Sequence, residues 1–560
     1  MKFRDIYSLI PESFRKKGVW VALSLFLRAI LDFAGVVVFI PVLAQILEKE
    51  GTAMSVLPVA GAAMAFILFK GLAVIFLARF RSRYVFSLYT VLSESVLDRF
   101  LGKGLMFIRQ SNSVDLANKV NAVTMTFTSG VIMSLLNAVS SLMLLLIILT
   151  ALFIYEPLPT LALILVIGPF MFFYSFFLRT RMKSLGITEN ESRRDQARAV
   201  YELFKGYPEY FINGAVGLQL DNFHSSLSRI SDVRRKTESY SAASTGFMEL
   251  TVMLSVILLM LLSMSASWGI SMTFGIFALS AMKILPSVRS LVGSWQAVQS
   301  SQYSIDVLKD ILSEPSASLP CEARPESSGI SFTKEISLRE VSFRFTPSGQ
   351  YLFKDFNLNI RKGEYIGIKG HSGVGKTTLF NLLMGFYTPE TGGLYVDGVK
   401  ITPSNVGSWW AMVGYVPQEV FLVNGSFVRN VAFGQSPENA DRRKIEHIFR
   451  KVGLWDWISS LPEGMDTSIA EAGNSISGGQ KQRIGIARAL YKGASVLFFD
   501  EATSSVDIKA EQEINSFISG LSDEDSSLTV VVIAHRQETL DSCAEIIDMD
   551  KLLAGMENKN

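Results

Sequence analysis

Residues Gly370-His371-Ser372-Gly373-Val374-Gly375-Lys376-Thr377-Thr378 have the composition of a loop that grips phosphate. Glycines let successive backbone N–H groups converge on phosphate oxygens, and a helix opening behind them adds a favourable dipole. Lys376 is suited to neutralise β- and γ-phosphate charge, and the Thr377 hydroxyl to ligate Mg²⁺. His371 fills a variable position and is expected to be merely exposed. Further along, the apolar run 494–499 ends in Asp500 and Glu501. Two acids at a strand end allow one to hold Mg²⁺ and the next to polarise an attacking water as general base. The two clusters together imply ATP and Mg²⁺ as ligands, and hydrolysis as the reaction.

Such residues work only if a scaffold places them. Residues 356–360 and 364–368 read as strands and 377–386 as a helix, giving the strand–loop–helix setting the phosphate loop requires. Asp500 and Glu501 then fall at the edge of a parallel sheet, beside that loop. Residues 330–560 therefore read as an α/β P-loop NTPase domain. Residues 312–329, rich in Ser, Pro and Glu, read as a linker.

The first 311 residues are of another kind. The chain has 560 residues, too many for one core, and its 49% hydrophobic content is unevenly spread. Runs long enough to span a bilayer lie near 19–47, 54–79, 130–154, 158–178, 246–268 and 272–296. The segments after the second and fourth runs are long and basic, with Arg79, Arg81 and Arg83 in one and Arg179, Arg181 and Lys183 in the other. The positive-inside rule places both in the cytoplasm, so both termini are cytoplasmic. A basic amphipathic stretch with Arg15, Lys16 and Lys17 leads into the first run, which is expected to stay as a membrane helix. Short transverse turns are expected at 111–116 and 207–214. A net charge of +2 argues against a nucleic-acid partner. Cys321 and Cys543 stand too far apart in sequence to suggest a disulfide framework or zinc site.

Between the two ATP clusters lies Ile476-Ser477-Gly478-Gly479-Gln480, and with it the chain resembles an ATP-binding cassette (ABC) transporter of the exporter type. The resemblance covers essentially the whole length and implies six transmembrane helices fused to the ATPase domain. In that family the pentapeptide is the signature, here with Ile476 where leucine is usual, and it contacts the γ-phosphate held by a second subunit. The resemblance further implies that Gln418 is the Q-loop residue touching Mg²⁺ and water, that His535 is the switch histidine, and that 504–507 form the D-loop. It puts Phe345 where an aromatic stacks on adenine, with plain strand packing as the alternative. Glu471 would meet a transverse turn, although Ala472 replaces the arginine common beside it. One chain carries one loop and one signature, so the resemblance implies a dimer, either of two identical chains or with a different partner.

Six ionisable residues fall within the apolar runs: Arg28, Asp32, Lys70, Glu249, Lys283 and Arg289. Charges there face a cavity or pair with one another. Arg28 and Asp32, four apart, share one helical face and suit an ion pair or a cavity wall. Lys70, Lys283 and Arg289 are candidates for an anionic head group. Residues 33–41 and 283–289 are similar to bacterial flippases of lipid-linked oligosaccharides, which implies an amphipathic or lipid-linked substrate. The short connection 48–53 departs from that pattern by leaving no room for an external helix. Multidrug, lipid and peptide export are the other readings. No protease-like segment precedes the first run, which argues against a peptide exporter that processes its cargo.

Overall fold

The structure, a computed structural model, describes residues 3–41, 53–265, 270–314, 330–469, 476–500, 508–524, 526–534 and 537–557. The chain divides into two compact units, residues 1–101 with 108–316 and residues 102–107 with 317–560.

Among the described residues the first unit contains six long helices: α1 (Glu12–Val37), α2 (Ala53–Gly102), α3 (Met133–Tyr155), α4 (Pro157–Lys205), α5 (Val216–Ser265) and α6 (Ile270–Ser300). Each expected span overlaps one of them, with residues 42–47 and 266–268 outside the described residues. Among the described residues, Glu12–Pro41, Leu57–Gly102 and Ser113–Tyr155 are long and apolar enough to cross a membrane. Helices α2, α4 and α5 run 50, 49 and 50 residues. At about 1.5 Å per residue each is near 75 Å long, against about 30 Å of hydrocarbon, so much of each lies outside the apolar layer. Leu68, Phe69, Leu72 and Phe76 are exposed along α2, as suits a face turned to lipid. On the inward faces Ala29, Leu144, Ile148, Leu163, Met248, Ile284 and Val292 join α1, α3, α4, α5 and α6 in one core.

Short helices interrupt the long ones. Tyr207–Ile212 separates α4 from α5, at the expected second turn. The first turn differs from expectation. Gly104, at φ 81, redirects the chain before residue 111 is reached. Residues 102–107 then join the second unit, with Leu105 and Met106 packed on its core.

Among the described residues the second unit holds two large sheets and a two-stranded pairing of Gly425–Ser426 with Ser468–Ile469. Strands β1 (Glu335–Phe343), β2 (Phe353–Arg361), β4 (Thr391–Val396) and β5 (Val399–Lys400) form an antiparallel sheet in the order β2-β1-β4-β5. Strands β3 (Tyr365–Lys369), β6 (Val413–Val416), β7 (Val496–Asp500), β8 (Thr529–Ile533) and β9 (Glu545–Asp548) form a parallel sheet in the order β9-β3-β8-β7-β6. Every residue of β7 and β8 is buried, as expected of strands covered on both faces. Three helices matter below: α7 (Lys376–Leu383), α8 (Gly478–Lys492) and α9 (Met549–Glu557). Helix α7 stops three residues before the expected 386, because the chain turns at Gly385, φ 75.

Asp397 ties the antiparallel sheet together. Its carboxylate accepts from the Thr333, Lys334 and Glu335 backbone N–H groups at 2.6, 2.8 and 2.9 Å, and from the Thr333 hydroxyl at 2.6 Å. Desolvation raises its pKa, but these donors outweigh it and bring the group down to about 2.

Candidate functional site

The loop between β3 and α7 has the backbone that its glycines predict. Gly373 and Gly375 take φ 86 and 103, in the left-handed region. A Cβ at Gly373 would meet nothing within 4 Å, so the backbone there is open to close approach. Lys376 is only 5% exposed, and its ammonium donates to the Gly370 and His371 carbonyls at 2.9 and 3.1 Å. A buried cation held by carbonyls of its own loop is suited to receive an anion. Thr377 and Ser372 are exposed, while Thr378 and Val374 are buried beneath them.

Register places the remaining groups at the same sheet edge. Ile368 of β3 pairs with Ile533 of β8, and Ile533 with Asp500 of β7. Asp500 therefore lies two strands from the start of the loop, about 10 Å away. It is buried at 6% exposure and accepts from the Tyr415 hydroxyl at 3.3 Å. Gln418, just beyond β6, is exposed. Ligands of open parallel sheets bind at this carboxyl edge. A carboxylate, a hydroxyl and an amide oxygen from Asp500, Thr377 and Gln418 form a hard donor set that suits Mg²⁺ shared with phosphates. Among the described residues no three His, Cys, Asp or Glu side chains form a metal site without phosphate. Glu501, His535, residues 504–507, Glu471, Ala472 and Cys321 lie outside the described residues.

Ser477 is the N-cap of α8, and its hydroxyl and the Gln480 side chain form a reciprocal capping box. The first turn of α8 thus begins at Gly478 and Gly479, with backbone N–H groups at a helix N-terminus. Two residues without an assigned role in the sequence connect this helix to the segment after β6. Gln482, 2% exposed, donates to the Gln418 carbonyl at 2.7 Å. Arg488 donates to the Phe421 carbonyl at 2.5 Å and to the Asn430 carbonyl at 2.6 Å, and burial pushes its guanidinium down to about 10. Their position in the helix following the signature was the available signal.

Phe345 lies just past β1, 44% exposed, with edge contacts to Phe343 and Tyr387 at 5.3 and 6.3 Å. It is not packed away within the strand. His371 is exposed as expected, but it has a partner. Its ring bonds the Asp550 carboxylate, and its backbone N–H donates to the same group at 3.1 Å. The partner belongs to α9, nearly 180 residues away. Contact at that separation has no local sequence signal. The Cys543 thiol is raised to about 11 by burial and stays protonated near neutral pH.

This combination of long helices and sheet edge recurs in a solved structure of a bacterial Atm1-family ABC exporter with ATP bound. The TM-score is 0.79 at 21% identity, covering 98% of this chain and 96% of that one. The fold is that of an ABC exporter. Residues 353–504 match the ABC transporter family. The chain is 37% identical over 276 residues to the alpha-hemolysin translocation ATP-binding protein HlyB of Proteus vulgaris, which covers 49% of this chain and 38% of that protein. It is 29% identical over 382 residues to the ATP-dependent lipid A-core flippase of Paraburkholderia xenovorans, covering 67% of this chain and 62% of that protein. The chain thus spans between 38% and 62% of these relatives' lengths.

In the helical unit of this ABC exporter fold, three of the candidate charges form one group. Asp32 lies 3.7 Å from Arg28 and 3.0 Å from Lys70. A Cβ at Gly35 would come 2.5 Å from the Lys70 ammonium, so this glycine lets α2's lysine reach across α1. Lys70 therefore has a carboxylate partner, which changes its expected role as a cation offered to a ligand. Glu249 is exposed on α5. Lys283 and Arg289 both lie on α6, half-buried and exposed respectively. Six residues at 3.6 per turn put them about 120° apart, so they face different directions.

Proposed function

We propose that the chain is an ATP-hydrolysing exporter or flippase that works as a dimer in a bacterial inner membrane, with its ATPase domain in the cytoplasm. The observation that carries this reading is the Lys376 ammonium, buried in a loop whose backbone is open at Gly373, at the carboxyl edge of the parallel sheet. The loop binds the triphosphate, Lys376 turns from the Gly370 and His371 carbonyls to the phosphate oxygens, and Phe345 stacks on adenine. Mg²⁺ held by Thr377, Asp500 and Gln418 neutralises phosphate charge when bound. Glu501 takes a proton from the attacking water, and His535 contacts the γ-phosphate. Ser477, Gly478, Gly479 and Gln480 of a second copy close the site, which makes nucleotide binding a dimerisation step. Closing two ATPase domains turns the helices outward, and hydrolysis resets them.

The substrate class is an amphipathic or lipid-linked molecule. Relatives named as lipid A-core flippases support it, as do Lys283 and Arg289 in the sixth span. Relatives named for hemolysin translocation support a second reading, protein or peptide export. The test is ATP hydrolysis by the purified protein in vesicles. Glu501→Gln is expected to lower turnover by roughly 100- to 10,000-fold with ATP binding retained. Turnover near the wild-type rate in that variant removes Glu501 as the base.

A further inference from the structure

The register of the parallel sheet carries on past its edge, on one side of the phosphate loop. Asp548 of β9 pairs with Lys369 of β3, and their side chains lie 3.5 Å apart. Two residues further along each chain stand Asp550, in the first turn of α9, and His371, in the loop. Met549, fully buried, anchors that turn in the core that also takes Val374. A Cβ at Gly370 would come 3.1 Å from the Met549 Cβ and 2.8 Å from a Val374 methyl carbon. This glycine therefore lets the C-terminal helix close against the loop, a task separate from gripping phosphate.

The contact that results falls on a single peptide group. The His371 N–H donates to the Asp550 carboxylate, at 3.1 Å to one oxygen and 3.4 Å to the other. The carbonyl of that same peptide group is that of Gly370, and it accepts from the Lys376 ammonium at 2.9 Å. An acid thus holds one end of the amide, and the lysine of the phosphate loop holds the other. A carboxylate on the N–H polarises the amide and makes its carbonyl a stronger acceptor. The His371 ring bonds Asp550 as well, and the His371 carbonyl is the second acceptor for Lys376, at 3.1 Å. An acid in a first turn also suits the dipole of its own helix, which is a purely structural role. That role does not require the carboxylate to meet a loop residue.

We infer that Asp550 is a positioning residue for nucleotide. Through the amide joining Gly370 to His371 it fixes the carbonyls that hold Lys376, and so sets how ready the loop is to receive ATP. The inference rests on the reading that this loop binds the triphosphate, and it gives the C-terminal helix a share in that binding. Preorganisation is the physical link. A loop head held in place beforehand does not have to be ordered by ATP, so that cost is absent from binding. Asp550 acts from behind the loop, which leaves turnover of the saturated protein to Lys376 and the groups at the sheet edge.

The test uses the full-length protein in detergent, with affinity read from a fluorescent trinitrophenyl-ATP and KM and kcat from ATP hydrolysis. Asp550→Ala is expected to weaken nucleotide binding and raise KM roughly 10-fold, about the worth of one hydrogen bond to a charged group, with kcat little changed. Asp550→Asn keeps an acceptor for the N–H and is expected to recover most of the loss. His371→Ala removes the ring but keeps the N–H, and is expected to cost less than Asp550→Ala. Asp548→Ala removes a neighbouring charge and the acceptor of the Lys551 N–H at the start of α9, while the amide contact stays. It is expected to lower Tm with KM little changed. An unchanged KM in Asp550→Ala, a fall in kcat alone, or an equal rise in KM in Asp548→Ala overturns the inference. So does an Asp550→Asn variant no better than Asp550→Ala, or a loss in His371→Ala as large as in Asp550→Ala. A wild type that binds no nucleotide overturns the loop reading and the inference with it, and is told apart because it is seen before any substitution.

Discussion

In the ATPase unit the Lys376 ammonium is 5% exposed and held by two carbonyls of its own loop. In the helical unit Arg289 stands exposed in a cavity whose walls come from three helices up to about 160 residues apart in sequence. The first cation is positioned by eight contiguous residues, where glycine conformation and a helix start leave little to the rest of the chain beyond Asp550. The second is positioned by helix packing, and its neighbours are ordinary serines, threonines and amides. A site made of short-range backbone geometry reuses one sequence pattern wherever it occurs. A site made of packed helices can change its ligand by changing a few side chains.

The largest effect expected of this contrast is at the loop. Lys376→Ala is expected to lower ATP hydrolysis roughly 100- to 1000-fold, because charge stabilisation by a preorganised donor is lost. A loss below tenfold would mean that the loop does not depend on its cation as the geometry implies. The helical unit is expected to be sensitive in stability instead. Asp32→Ala leaves Arg28 and Lys70 uncompensated and is expected to cost about 3 kcal/mol, read as a lower Tm in detergent. The double change Asp32→Leu with Lys70→Met removes the close pair together and is expected to cost less than Asp32→Ala alone. If it costs more, the group is needed for more than mutual neutralisation.

Asp397 provides the counterpart carboxylate in the ATPase unit, held by backbone donors rather than by cations. Asp397→Ala is expected to cost about 2 kcal/mol of domain stability, from lost hydrogen bonds to a charged group. Its folded pKa is about 2, below the ordinary carboxylate value of 3.8. A depressed pKa contributes stability above 3.8 that is lost as pH falls through 3.8 toward 2. The wild type is therefore expected to lose an increment of stability across that interval that Asp397→Ala lacks, measured by thermal unfolding against pH. The smallest structural effect is expected at Ser477→Ala, about 1 kcal/mol for a lost helix cap. If its hydrolysis rate falls much further than that stability loss explains, the hydroxyl acts on nucleotide as well as on its own helix.

The loop between β3 and α7, the strand end at Asp500, the helix start at Ser477 and the helices under the apolar runs were legible because each depends on neighbours in sequence. Glycine torsions, strand ends, helix caps and hydrocarbon length all act over a few to some twenty residues. The ends of α7 and the place of the first transverse turn were less legible, since Gly385 and Gly104 set them and a glycine alone does not announce its φ. The pairing of Lys70 with Asp32 is not legible, because nothing in sequence shows that Gly35 clears a path between them.

By itself, then, the sequence determined that this chain has a nucleotide loop of defined chemistry and helices that must be solvated by lipid. Only the tertiary structure decided which charges neutralise one another, that Asp550 reaches His371, that Gln482 and Arg488 hold the segment after β6, and that Arg289 lines a polar cavity. The reason is range: backbone conformation is fixed by local sterics, whereas the partner of a side chain is fixed by which distant surfaces pack against it.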